Sequence, residues 1–151
     1  MWITSVDNSE TAWSTPMPAL IAAAIGGLAL GVCAVALSTD PAGRVLIGIA
    51  AVGLLVMAWL GMTQRPRLAV LDGNKLSVKQ IRRTAVYDRA AVVRARVVKY
   101  PRLGRRVPML EIDVALPDDA ELLLVFGRWD LGTHPEDVLA ALARHEFAVE
   151  L

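Results

Sequence analysis

The sequence predicts a membrane-anchored α+β protein: an N-terminal two-helix transmembrane hairpin, then an antiparallel β-sandwich or barrel of six or seven strands with a C-terminal capping helix. Three observations predict it. Residues 19–37 hold sixteen apolar residues and three glycines without a charge, and residues 45–64 repeat the uncharged run. From Arg67 onward the pattern changes to short alternating segments, and the last stretch carries helical spacing. Composition agrees, because 55% of the chain is hydrophobic but only 5% aromatic, so the excess is Ala, Val, Leu and Ile.

Read in order, residues 1–17 are expected to form a cytoplasmic N-terminal tail, 18–38 the first transmembrane helix, and 39–44 an extracytoplasmic turn. Residues 45–64 form the second span and 65–151 a cytoplasmic domain. A run of nineteen uncharged residues reaches roughly 30 Å as a helix, the thickness of the hydrocarbon core. A buried core pair is the alternative, but a domain this small cannot cover two helices that are apolar on every face. Asp7 and Glu10 precede the first run and no Lys or Arg does, which disfavours a cleavable signal. Of 16 Lys and Arg, 15 follow Gln64, so the positive-inside rule places both termini in the cytoplasm of a multi-pass plasma-membrane protein.

In the first span Ala23, Gly27 and Gly31 recur every fourth residue and offer a small-residue face for close helix approach. That face packs on the chain's own second span, or, with a second face containing Gly48 and Gly53, docks on a larger membrane complex. Trp59 and Trp13 read as interfacial aromatic anchors.

In the domain, residues 67–71 and 75–81 flank Asp72-Gly73-Asn74, a strong hairpin signal. Leu76 and Val78 share one face, with Ser77 and Lys79 opposite. Further strands are read at 84–87, 92–98, 107–116 and 121–126; in the fifth, Leu110, Ile112 and Val114 face inward and Glu111 and Asp113 outward. Thr133 as N-cap, Pro135 early in the first turn and Glu136 as the return partner begin a helix over about 134–146, in which Val138, Leu139, Leu142 and Ala143 form the apolar stripe.

The formal net charge of +1 conceals two opposed halves. Residues 65–106 hold 13 basic residues against two acids, and residues 107–151 hold two basic residues against ten acids. Cross-strand pairing of Arg94 and Arg96 with Glu111 and Asp113 accounts for part of this as solvated pairs. Arg102, Arg105 and Arg106 sit on a turn with no neighbouring acid, and Arg65 and Arg67 lie at the lipid boundary; these five are the candidate contacts for lipid headgroups or an acidic partner.

Catalytic chemistry finds little to work with. His134 and His145 are three turns apart on one helix, Cys33 lies within a span, and Asp118-Asp119 reads as turn chemistry. No glycine-rich phosphate loop follows a strand. The sequence therefore implies no enzyme, no cofactor, no metal and no small-molecule substrate. Only Tyr87 and Tyr100 interleave the basic segment, which argues against nucleic acid.

Two spans, the strand from Arg67, Val86-Tyr87-Asp88-Arg89, the Leu103-Gly104-Arg105-Arg106-Val107-Pro108 hairpin and Phe126-Gly127-Arg128-Trp129-Asp130-Leu131-Gly132 before a last helix resemble actinobacterial two-transmembrane proteins with a bacterial pleckstrin-homology (PH)-like domain. The resemblance spans about residues 18–146 and implies two nearly orthogonal antiparallel sheets with a C-terminal helix. Eukaryotic PH domains that bind phosphoinositides use basic residues around the loop joining their first two strands; here that loop reads as Asp72-Gly73-Asn74, tight and acidic. The functional expectation is a non-catalytic interaction module, an accessory or scaffolding subunit of an integral membrane protein complex, in the manner of small respiratory-chain accessory subunits. The alternative is a module that binds anionic phospholipid headgroups.

Overall fold

The computed structural model describes residues 9–37 and 39–151. Residues 1–8 of the expected tail, and Ser38 at the end of the expected first span, lie outside the described residues. The described residues divide into two units: a helical one over residues 15–65, and a sheet unit built from two separated pieces, residues 9–14 and 66–151.

The helical unit is an antiparallel pair, α1 (Met17–Ala36) and α2 (Pro41–Thr63), both long and apolar enough to cross a membrane. Asp40 caps α2, its carboxylate accepting from the Gly43 N–H at 2.8 Å, and Pro41 occupies the first turn, where its missing N–H costs nothing. The expected 39–44 turn is therefore shorter than the spacing of charges implied, because Pro41 to Arg44 belong to the helix. Two glycines let the helices close. A Cβ on Gly27 would meet Leu55 Cγ at 2.9 Å and the Ala51 carbonyl oxygen at 3.1 Å, and one on Gly61 would overlap Leu20.

The sheet unit begins before the hairpin. β1 (Ser9–Trp13) precedes α1, and β2 (Leu68–Leu71) follows α2; the two pair antiparallel with Trp13 opposite Leu68. Residues 9–13 are thus a strand and not a tail. Trp13 is a core residue and not an interfacial anchor. The sequence signal was weak because Ser9-Glu10-Thr11-Ala12-Trp13 alternates over only five residues, and the partner strand lies more than fifty residues away. The loop joining the first two strands is accordingly the helical hairpin itself, and Asp72-Gly73-Asn74 joins the second to the third.

β3 (Lys75–Lys79) and β4 (Thr84–Asp88) complete the first sheet in the order β1-β2-β3-β4. Asp72 (φ 51°) and Gly73 (φ 74°) take the left-handed backbone that a tight hairpin turn requires. Leu76 and Val78 are buried on one face, as the alternation predicts. A 3-10 turn at Arg89–Ala91 leads into β5 (Val92–Arg102), which pairs along its length with β6 (Arg105–Ala115); β7 (Glu121–Phe126) follows on the far side of β6. A two-residue β8 (Val149–Glu150) runs parallel to β5, so the second sheet has the order β7-β6-β5-β8.

Two helices close this unit, a single turn α3 (Arg128–Leu131) and the amphipathic α4 (Pro135–Arg144). Val138 and Leu142 of α4 are fully buried in one core with Val70, Leu76, Ile112 and Phe126 from the sheets. Each such side chain contributes about 1.5–3 kcal/mol through burial. The N-cap of α4 is His134 rather than Thr133, and the expected capping box is absent. Thr133 Oγ1 instead donates to Asp137 Oδ2 at 3.2 Å. The helix ends at Arg144, short of 146, because Glu146 adopts φ 62° and the Phe147 N–H turns back to the Leu142 carbonyl. Arg89 holds that end from β4's side, donating to the His145 carbonyl at 3.2 Å and to Glu146 at 3.1 Å.

Candidate functional site

In the helical unit, the small residues of the two expected packing faces separate into three roles. Gly27 lies in the α1–α2 contact. Gly31 and Gly48 have no side chain or backbone within 4 Å of where a Cβ would stand, and together with Gly27, Ala51, Val52 and Leu55 they line an open apolar groove of about 700 Å³ that reaches Arg44. Gly53 is exposed with open space around it, and Ala23 is half-buried; neither lines the groove. The face read as one stripe is therefore partly spent within the hairpin and partly open. The tightest approach, Gly61 on Leu20, carried no repeat that spacing could reveal.

In the sheet unit, charge is organised as a ladder on the outer face of the second sheet. Arg94 lies across from Asp113, with its Nη2 2.8 Å from Oδ2, and reaches Glu150 at 3.4 Å. Arg96 lies across from Glu111, with its Nη2 2.9 Å and its Nε 3.0 Å from Oε2. The Tyr100 hydroxyl donates to the other carboxylate oxygen of Glu111. The four residues expected to face each other across the strands do so, as Arg94 with Asp113 and Arg96 with Glu111, but Glu111 is not a solvent-facing residue: neighbouring side chains cover it almost completely. The hydrogen bond to that carboxylate, with burial second, raises the Tyr100 pKa above its ordinary value near 10.

The β5–β6 hairpin ends in Leu103 (φ 47°) and Gly104 (φ 76°), and Arg102 pairs with Arg105 at its neck. Leu103 is completely exposed. Arg102, Arg105 and Arg106 are exposed too and form no ion pair or side-chain hydrogen bond among the described residues. The candidate contacts therefore divide: these three cluster on one hairpin, whereas Arg67 Nη2 lies 3.6 Å from Asp130 Oδ1 of α3, and Arg65 belongs to the helical unit.

The histidines do not converge. His134 is exposed at the start of α4, while His145 Nε2 lies 3.3 Å from Thr11 Oγ1 and ties the end of α4 to β1. Cys33 lies within α1.

Together these features define a class: an α+β protein whose sheet unit is interrupted, between its first two strands, by a pair of apolar helices of spanning length. The chain is 36% identical over 139 residues to the uncharacterized protein Rv0010c of Mycobacterium tuberculosis strain H37Rv, and equally to the uncharacterized protein MT0013 of strain CDC 1551; the match covers 92% of this chain and 95% of the relative. The chain belongs to the family of these mycobacterial proteins, which agrees with the actinobacterial part of the sequence resemblance. No family model matches it, and no solved structure does.

Proposed function

We propose that this protein is a multi-pass plasma-membrane subunit with both termini in the cytoplasm, whose PH-like domain serves as a non-catalytic interaction module in a larger membrane complex. The observation that carries this reading is the open groove along Gly27, Gly31 and Gly48. Small residues on a helix face favour close approach of another transmembrane helix, and here the hairpin's own packing uses Gly27 and Gly61 and leaves open space beside Gly31 and Gly48. The PH-like reading is supported by two sheets of four strands each, antiparallel except for the two-residue β8 beside β5, with a helix closing the core. The side of the membrane follows from the 15 cations after Gln64. Purification of the tagged full chain in mild detergent tests the proposal: a stoichiometric integral membrane partner that Gly31→Leu or Gly48→Leu releases is expected, and recovery solely as a free monomer or homodimer overturns it.

A second reading, contact with anionic phospholipid, is favoured by Leu103. An apolar side chain held at positive φ, with no packing and with Arg102, Arg105 and Arg106 around it, has the composition of a membrane-touching tip. Full-chain proteoliposomes in which Arg102, Arg105 and Arg106 are replaced by Gln test it. Loss of salt-sensitive protection of the hairpin in anionic vesicles is expected, and unchanged protection removes the reading.

A further inference from the structure

We propose that the sheet edge at which the chain departs for α1 and returns from α2 is a seating rim for an anionic bilayer, with Ile81 and Trp129 entering the headgroup–acyl boundary and Arg82, Arg83 and Arg128 meeting lipid phosphates. The proposal rests on the reading that α1 and α2 span the membrane.

Strand direction defines the edge. β1 ends on it at Trp13, β2 starts from it at Leu68, and β3 ends on it, since Trp13, Leu68 and Val78 stand in one register row. Two backbone bonds extend the row: the Arg67 N–H donates to the Trp13 carbonyl at 2.9 Å, and the Lys79 N–H donates to the Arg67 carbonyl at 3.0 Å. The β3–β4 loop, residues 80–83, therefore springs from beside the two chain crossings. It is closed by the Gln80 N–H on the Arg83 carbonyl at 2.8 Å, with Arg83 Nε on Gln80 Oε1 at 3.2 Å. Ile81, at its tip, is 70% exposed. α3 is fastened to the same edge through the Arg67–Asp130 pair, which also places the nearby carboxylate on a cation. Trp129, next to Asp130, is 47% exposed. Arg82 and Arg128 carry no ion pair among the described residues.

The tethers hold this edge near a membrane surface. Four residues separate Thr63 from Leu68 and three separate Trp13 from Met17. Fully extended, these reach at most roughly 17 Å and 14 Å. A spanning helix ends at the interface, so the rim remains within reach of the headgroup layer, while the Asp72–Asn74 turn sits at the opposite end of β2 and β3. Single exposed apolar residues need no explanation. An exposed Ile and an exposed Trp among arginines, at the one edge the chain confines to the interface, match the residues that populate that layer: aromatic rings at headgroup depth and Arg stems that keep their charge in water.

The test uses the full chain with Cys33→Ala in nanodiscs containing shallow quencher lipid, with a fluorophore on Ile81→Cys, Asn74→Cys or Leu103→Cys. In discs containing anionic phospholipid, the label at 81 is expected to be quenched and blue-shifted and the label at 74 not. Each Arg is worth about fivefold in the ratio of seated to unseated label, so Arg82→Gln with Arg83→Gln lowers it about 25-fold, and high salt acts in the same direction. A label at 81 as water-exposed as that at 74 overturns the rim, as does insertion at 103 instead of 81. Impermeant labelling of Ala42→Cys in sealed vesicles tests the spans separately: reactivity from the side opposite Asn74→Cys upholds the spanning reading even where the rim fails.

Discussion

Arg96 and Glu111 face each other across β5 and β6 with Nη2 2.9 Å from Oε2, and the Glu111 side chain is only 4% exposed. The carboxylate is fully engaged, since Tyr100 donates to its other oxygen. Removal of either partner is unequal in consequence. Arg96→Met strands a covered carboxylate and is expected to cost about 2–3 kcal/mol, whereas Glu111→Gln, which keeps an acceptor for Tyr100 and leaves a half-exposed guanidinium free to reach water, costs about 1 kcal/mol. Urea unfolding of the two variants measures the difference.

The same carboxylate makes Tyr100 a reporter of alkaline stability. Its folded pKa is raised, so the neutral phenol is favoured in the native state. The associated stability is fully present below the unfolded value near 10 and is lost as pH rises through the folded value. Tyr100→Phe is expected to flatten the stability profile in that window, read by thermal melts between neutral pH and pH 11.

Leu103 occupies left-handed backbone without burying anything. Leu103→Asn at this tight turn is expected to stabilise the domain by about 1 kcal/mol, since Asn tolerates positive φ and no packing is lost. Thermal melting checks the sign.

β1 makes the sheet unit discontinuous in sequence. Residues 66–151 alone lack Trp13, a core side chain whose truncation costs about 3–5 kcal/mol, and leave the edge of β2 unpaired. Residues 9–14 joined to 66–151 by a short Asn-Gly turn are expected to give a soluble, cooperatively folding domain, and residues 66–151 alone an unstable or aggregating one. Size exclusion and denaturant melts of the two distinguish them.

Within the hairpin, Gly27→Val drives a branched side chain toward Leu55 and the Ala51 carbonyl and is expected to weaken the α1–α2 pair by about 1–3 kcal/mol, while Gly31→Leu leaves that pair intact. Thermal stability of the purified chain in detergent reports both.

Much of this architecture was legible along the chain because it is encoded locally. The two apolar helices, the Asp72-Gly73 turn, and the alternation that buries Leu76, Val78, Leu110, Ile112 and Val114 follow from length, period and turn chemistry, whereas the expected turn over 100–106 tightens to Leu103-Gly104 because β5 and β6 pair as far as Arg102 and Arg105. That Arg94 and Arg96 face Glu111 and Asp113 was legible for the same reason, but which Arg meets which acid is settled only by the strand register, Arg94 with Asp113 and Arg96 with Glu111. Local signals gave out where a few residues depend on a distant partner: β1, the two-residue β8 and the single turn α3 are too short to carry a period. The α4 cap falls on His134, one residue beyond the Thr133 that the spacing predicts, and the Thr133 hydroxyl is drawn to the Asp137 side chain instead. The small-residue stripe was visible as spacing, but spacing cannot say that Gly27 closes against Leu55 while Gly31 stays open.

By itself, then, the sequence determined the alphabet of this protein: which segments are apolar throughout, which alternate, and where charge is absent, basic or acidic. Tertiary structure decided what those segments become to one another. It joined Trp13 to Leu68, so that one sheet contains the strands that precede and follow the helical pair in sequence, and it covered Glu111 with Arg96 and Tyr100. The physical reason is range: periodicity and turn propensity act over a few residues, whereas strand pairing and burial are settled by whichever distant segment satisfies the open backbone edge and the exposed apolar face.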